Sequence, residues 1–587
     1  MCGIIGVIGT KNDAASTVFK GLKTLEYRGY DSWGVAADSN GKLAIDKHTG
    51  KIGEAHLNLA ESTIAIGHTR WATHGGVTTE NTHPHLDCSG RLAVVHNGIV
   101  ENHTQLKSLL SEKGHQFVSE TDTEIIAHLI EEELKKTKEI HMAVFAAFAQ
   151  LEGSNAITVL DIDSKTITAA RDGSPLSVGI SPDQYFVASD VTPFLDKTNQ
   201  AFFMEDGEGV VLKTDQVTLY DLKNGEVKKP AIQTIDWKVE DAQKQGYDHF
   251  LLKEIMEQKK TIKKTAGENE HTITDLSKKI AAGHNVVLIG CGTAYFCCLA
   301  GQYYFARGGI EAHAFGAYEF EPFANFCNDK TVVIAVSQSG ETADTLIAAR
   351  LAKAKGSHVV AVVNARGSTL ERLADTVLPV AAGPEIAVVS TKAFMSQLIT
   401  LYLLSKATSG NYQTGRKHID DLGNKLDRWL SENLQTQVIN LVKQVLDEND
   451  IYLIGKYENY PAALESALKI KETSYIHSEA FASGELKHGV ITLIQKGTPC
   501  IVLASNDRVK QEILSSAAEL KARGGYIIGI APFKAAEFDY HIQTPDVEEL
   551  TIIPNIIVGQ LLGYYLGIGR GADPDKPRNL AKSVTVK

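Results

Sequence analysis

At 587 residues the chain exceeds what one hydrophobic core organises, and at about 150 residues per domain it divides into three or four units. Its composition, 43% hydrophobic and 22% charged, is that of a globular protein. The formal net charge of -12 argues against nucleic-acid and membrane partners, because the only local basic patch is KKTIKK at 259–264. Seven cysteines without a C-x-x-C pair suggest neither a disulfide framework nor a zinc ribbon, and they fit a reducing cytoplasm.

The chain opens on MCGIIGVIG, a short β-branched strand with a cysteine at its head. Cys2 has two readings. It is a small buried hydrophobe, or, once Met1 is trimmed, it carries a thiol and a free α-amine on one residue, a nucleophile with its own base. The apolar run ends at Thr10 with no basic residue before it, so a secretory signal is not expected. RLAVVHNG, AITVLDI, TITAAR, YFVASD and GVVLKT read as strands, and TEIIAHLIEEELKK as an amphipathic helix, together an α+β layered unit over residues 1–240. Residues 241–284 are polar and lysine-rich, a helical connector.

From residue 285 the texture changes to apolar strand, glycine or serine loop and long helix, as in a doubly wound parallel sheet. It occurs twice. NVVLIGCGTAYF is answered 165 residues later by DIYLIGKYENYP, and TVVIAVSQSGETAD is answered 168 residues later by PCIVLASNDRVKQ. Two tandem α/β domains are expected, at 285–425 and 426–577, followed by a tail at 578–587. At the strand-to-helix turn, the first copy has Ser337, Gln338, Ser339, Gly340 and Thr342, and the second has Ser505, Asn506 and Asp507. Hydroxyls at a helix N-terminus suit a phosphate, whereas Asp507 repels one; the other reading of the first loop is ordinary helix capping. The least charged stretch, TIIPNIIVGQLLGYYLGIG at 551–569, is interrupted by Pro554, Asn555 and Gln560 and reads as a buried helix.

Several uncommon strings then point to a family. LEYRGYDS, HTRWATHG, THPH, VHNGIVEN and SETDTE resemble the N-terminal-nucleophile glutamine amidotransferase domain, a layered α/β/β/α glutaminase. SQSGETADT, STKAF, ALKIKETSYIHSEAFASGELKHG and the final RNLAKSVTV resemble the paired sugar-isomerase domains of the isomerising glutamine–fructose-6-phosphate aminotransferase family. The resemblance covers essentially the whole chain. It implies that Cys2 attacks the amide of glutamine, that Asn97 and the Gly98 N–H bind the oxyanion, and that Arg70, Thr73, His74 and Asp122 bind the glutamine. Trp71 matches the gate of an internal ammonia channel.

For the second half, the resemblance implies fructose 6-phosphate as substrate, held by Thr293, Ser337, Gln338, Ser339, Thr342 and Val388. Glu472 matches the proton-shuttling base, Lys469 a site lysine beside it, His488 a ring-opening histidine supplied by a partner subunit, and Lys582 a Schiff-base lysine. A cytoplasmic homodimer that needs no metal, nucleotide or other cofactor is implied. His74, His83, His85 and His96 fit no common zinc spacing. Three departures from the family pattern stand out. Ala294 replaces a phosphate-binding serine, Trp33 a small residue and Lys259 a proline. The first leaves open a different phosphorylated sugar, and a non-catalytic sugar-phosphate sensor is the reading from another class.

Overall fold

The computed structural model describes residues 2–235 and 244–584. Met1, the expected boundary at 240/241 and the last three residues of the C-terminal tail lie outside the described residues. The chain forms two compact units, Met1–Ala242 with Gly367–Thr369 and Ala581–Lys587, and Gln243–Arg366 with Leu370–Leu580.

The N-terminal unit is built on two antiparallel sheets of eight and seven strands. In the first, strand Gly3–Gly9 lies between Ile64–Arg70 and Gln184–Ala188. In the second, strand Leu92–Gly98 pairs with Asn155–Asp161 and that strand with Thr166–Asp172. Ile4, Ile8 and Ile66 from the first sheet meet Val95, Ala156 and Ile167 from the second in one core. The other face of the second sheet buries Val94, Ile157 and Val159 beneath helices Glu124–Leu134 and Ile140–Phe148. Helix Ala14–Leu25 covers the other face of the first sheet so closely that a Cβ on Gly67 would come within 2.5 Å of Val18. The layering is therefore α/β/β/α. Sheets covered on both faces demand continuous apolar strands, which explains why GIIGVIG does not alternate.

The same alternation of side chains collects the site. Cys2 shares the parity of Ile4 and Ile8, Arg70 that of Ile66 and His68, and Asn97 that of Val95, so all three fall on the inner faces at one end of the sandwich.

The C-terminal unit holds two five-stranded parallel sheets with one order of strands. In the first, Asn285–Gly290 lies between Ala312–Gly316 and Thr331–Ser337, followed outward by His358–Val363 and Thr376–Pro379. In the second, Asp450–Gly455 lies between His477–Ala482 and Pro499–Leu503, followed by Tyr526–Ala531 and Tyr540–Gln543. The duplication read from the offsets is thus a duplication of topology. Helices Phe250–Glu268, Glu270–Ala281, Lys392–Thr408 and Ile552–Gly569 contribute to the core shared by both sheets. The last is long and apolar enough to cross a membrane by composition, but it is buried inside the protein. Its interrupting polar residues are paired there, Asn555 with Asn459 at 2.8 Å and Gln560 with Gln258 at 2.7 Å.

Candidate active sites

In the N-terminal unit, the half-buried Cys2 thiol lies against the backbone of Trp71, whose N–H reaches Sγ at 3.3 Å and whose carbonyl lies 3.5 Å away. Burial pushes this thiol up; the Trp71 hydrogen bond and the Arg70 and Arg28 charges pull the other way. A nucleophile in that state needs a base at hand. Asn97 Nδ2 donates to the Cys2 carbonyl at 3.0 Å, and Arg28 Nε donates to it at 3.1 Å.

The direction in which Asn97 points has a cause. His68 is fully buried and its pKa is pulled down to about 3 by burial, so the ring is neutral. Its Nε2 faces two acceptors, the His96 carbonyl at 2.9 Å and Asn97 Oδ1 at 3.2 Å, and therefore carries the proton. The amide oxygen is held by His68, and the amide N–H₂ is left facing Cys2. Gly98 follows at φ 142, where a Cβ would come within 2.2 Å of the Ser154 carbonyl, so only glycine fits.

Arg70, 3% exposed, donates to the carbonyls of His74, Gly75 and Gly76, which folds the 71–76 loop over its own side chain. Thr73 is exposed on that loop, and the His74 ring stands edge-on to His103 at 5.1 Å. Asp122 is buried and accepts the Val100 N–H at 2.8 Å, fixing the chain just after Gly98. His83 stacks on His68 and His85 stands edge-on to His83, with burial holding both well below the usual histidine range.

In the C-terminal unit, the loops after Asn285–Gly290 and Thr331–Ser337 flank the point where the strand order reverses, the usual ligand crevice of such sheets. The Ser337 hydroxyl accepts the Gly340 N–H at 3.0 Å and lies 3.3 Å from Thr342 Oγ1; Ser339 Oγ accepts the Glu341 N–H at 3.2 Å. Gly340 sits at φ 66, and helix Ala343–Ala354 begins directly after Thr342. Gln338 offers its carbonyl to the Asn364 and Ala365 N–H groups. In the corresponding loops of the second copy Glu458 is paired with Arg307, and Asp507 lies 3.9 Å from Arg307 and accepts the Val509 N–H.

Helix Asn459–Ser474 of the second copy brings its charges to the first copy's crevice. Lys469 Nζ lies 2.7 Å from Glu472 and 3.3 Å from Glu465, and donates to Thr293 Oγ1 at 3.0 Å. Burial raises Glu465 to about 7 in spite of Lys469, and the two carboxylates raise Lys469 against its own burial. Glu465 is the member that sequence reasoning missed. Its seven-residue spacing from Glu472 on one helix face was the available signal.

The remaining candidates lie apart from these clusters. Val388 is buried, with its N–H on the Asp575 carbonyl at 3.0 Å. His488 is exposed at the end of the turn Ser483–His488 and has no hydrogen bond to the Lys469 group among the described residues. Lys582 is half-buried in the C-terminal stretch that belongs to the N-terminal compact unit. The three departures are accommodated locally. Trp33 is buried between Phe19 and the stacked His48 ring, Ala294 packs on the core, and Lys259 stands in mid-helix, where its backbone N–H is needed.

The model of the glutamine amidotransferase domain matches residues 68–196, and that of the SIS domain matches residues 279–407 and 444–561. The chain is 42% identical over its full length, and over the relative's, to a glutamine–fructose-6-phosphate aminotransferase [isomerizing] of Pyrococcus horikoshii, and 40% identical over both full lengths to one of Aquifex aeolicus. A solved C-terminal domain of glucosamine-fructose-6-phosphate aminotransferase from Francisella tularensis aligns with 57% of the chain and 100% of its own length, at 30% identity and a TM-score of 0.52. With both halves matched in order and relatives collinear from end to end, the chain belongs to the isomerising glutamine–fructose-6-phosphate aminotransferase family.

Proposed function

We propose that this chain makes glucosamine 6-phosphate and glutamate from fructose 6-phosphate and glutamine. The observation that carries the reading is the Cys2 thiol at the head of the central strand, with Asn97 held on the Cys2 carbonyl by a neutral histidine. Cys2 attacks the glutamine amide, its α-amine (freed by removal of Met1) relays the proton, and ammonia leaves as a thioester forms. Asn97 and the Gly98 N–H receive the oxyanion. Arg70, Thr73, His74 and Asp122 hold the substrate, the buried charges of Arg70 and Asp122 opposing its carboxylate and ammonium. Ammonia is delivered internally, and Trp71, whose backbone touches Sγ, is the candidate gate.

At the sugar site, the 337–342 loop and Thr293 take the phosphate, and Val388 lines the same site. Ammonia replaces the C2 oxygen, and Glu472 carries the proton between C1 and C2. Lys469 is paired with Glu472 at 2.7 Å and positions it, and Lys582 is the candidate Schiff-base lysine. The exposed position of His488 supports its acting in ring opening on the site of a second copy, and hence a homodimer. Water consumed in the hydrolysis returns when ammonia condenses with the ketose, so the reaction balances without nucleotide, redox partner or cofactor. Seven cysteines, all free, support a cytoplasmic setting.

The test is glutamate release measured with and without fructose 6-phosphate, alongside product identification and the intact mass. Loss of Met1 and release coupled one-to-one to glucosamine 6-phosphate is the expected result. Release with no amino sugar overturns the sugar assignment; an intact Met1 with no release overturns the role of Cys2.

A further inference from the structure

One group of side chains in the N-terminal unit plays no part in either reaction. Cys88 lies in the turn between strands His85–Leu86 and Leu92–Gly98, and His115 follows helix His103–Glu112. His128 and Glu131 stand three residues apart on helix Glu124–Leu134. Their donor atoms converge. Cys88 Sγ is 3.6 Å from His115 Nδ1 and 3.5 Å from His128 Nδ1, and the two nitrogens are 3.3 Å apart. Glu131 Oε2 is 3.3 Å from the first nitrogen and 3.5 Å from the second. Five of the six edges of this four-donor group thus lie between 3.3 and 3.6 Å, and all four donors lie within 4.8 Å of one another, a spacing that a zinc ion with bonds of about 2.0–2.3 Å draws together.

The surroundings fix the direction of one lone pair. His115 Nε2 lies 2.8 Å from Glu132 Oε1, a pure acceptor, so that nitrogen carries the proton and Nδ1 turns a lone pair inward. His128 Nε2 is buried 3.8 Å from the Glu124 carboxylate and has no hydrogen-bond partner among the described residues. Both rings are buried, with side chains 3% and 2% exposed. Two imidazole nitrogens, a carboxylate oxygen and a sulfur thus face one point, where a divalent cation offsets their mutual repulsion.

We propose that Cys88, His115, His128 and Glu131 bind one divalent cation of the zinc class. Four protein ligands leave no open position, so the site is structural. It ties the Cys88 turn and the segment after helix His103–Glu112 to the helix that starts two residues beyond Asp122, and so braces the glutamine pocket from behind.

The experiment strips the full-length chain with chelator, titrates it with zinc alone and counts retained metal by mass spectrometry. One equivalent per chain is expected, with affinity at least tenfold weaker in Cys88→Ser and in His128→Gln and unchanged in Cys2→Ala. Cobalt(II) in the same chain is expected to show tetrahedral thiolate absorption that Cys88→Ser removes. Circular dichroism confirms that each variant is folded; Glu131→Gln, at a ligand less buried than either histidine, replaces any variant that is not. Failure of the parent chain to retain stoichiometric zinc overturns the proposal, as does binding that survives the substitutions.

Discussion

His68 touches neither thiol nor substrate in the proposed chemistry, yet it decides which end of the Asn97 amide faces Cys2. Removing a single oxyanion donor typically costs 10²–10³ in turnover, so Asn97→Ala is expected to lower kcat for glutamine hydrolysis by about that factor with little change in KM. His68→Ala, which frees the amide to flip, is expected to cost about tenfold to a hundredfold in kcat. A full-rate His68 variant removes the positioning argument. Glu465 yields a prediction in pH. Its folded pKa of about 7 lies above the ordinary carboxyl value, so the native state holds a proton that the unfolded chain has already lost between about pH 4.5 and 7. That contribution is complete below the unfolded value and disappears as pH rises through 7. Denaturant unfolding of Glu465→Gln and of the parent chain should therefore show the variant gaining relative stability from pH 5 to pH 8; a constant difference refutes the assignment.

At the scale of elements, the position of Lys469 and Glu472 depends on how closely two helices approach. Gly559, Gly563 and Gly567 form a stripe at four-residue spacing on Ile552–Gly569, and a Cβ at Gly563 would come within 2.8 Å of the Lys469 carbonyl. Bulk there must push helix Asn459–Ser474 away with its charges. Gly563→Leu is expected to destabilise the C-terminal unit by about 1–3 kcal/mol and to depress amino-sugar formation while sparing glutamine hydrolysis. Thermal unfolding together with the two separate assays checks this. The two phosphate-type loops offer a matched pair of tests. Ser339→Ala and Thr342→Ala are each expected to weaken fructose 6-phosphate binding several-fold, and Asp507→Ala to leave it unchanged, as read by calorimetry.

At the scale of the whole molecule, the proposed glutamine and sugar chemistries use different reacting groups, Cys2 and Glu472, and each is expected to survive loss of the other. Cys2→Ala should abolish glutamine-dependent synthesis but leave synthesis from ammonium salts; Glu472→Gln should abolish both routes to amino sugar while glutamate release continues. Product assays with the two nitrogen donors distinguish these outcomes. If Cys2→Ala also loses the ammonium route, the independence of the two reactions is wrong.

The doubled sheet was legible in the chain because buried parallel strands must be continuous apolar runs, so NVVLIG and DIYLIG announce themselves at a constant offset. The buried nature of Ile552–Gly569 was equally legible, because Asn555 and Gln560 within an apolar helix need protein partners. Cys2, Asn97, Arg70 and Glu472 were named from the strings that contain them. What no string contains is pairing across sequence. Glu465 becomes a neighbour of Thr293 only when one copy's helix meets the other copy's loop. His115 joins Cys88 across 27 residues, and neither lies in a local metal motif. The sequence by itself determined the layers and the duplication and named the candidate reacting groups, since each is written in local periodicity or in a short motif. The tertiary structure alone decided the tautomer of His68, the shifted acidity of Glu465 and the four-donor cluster around Cys88. Those properties arise from burial and from distances between segments remote in the chain.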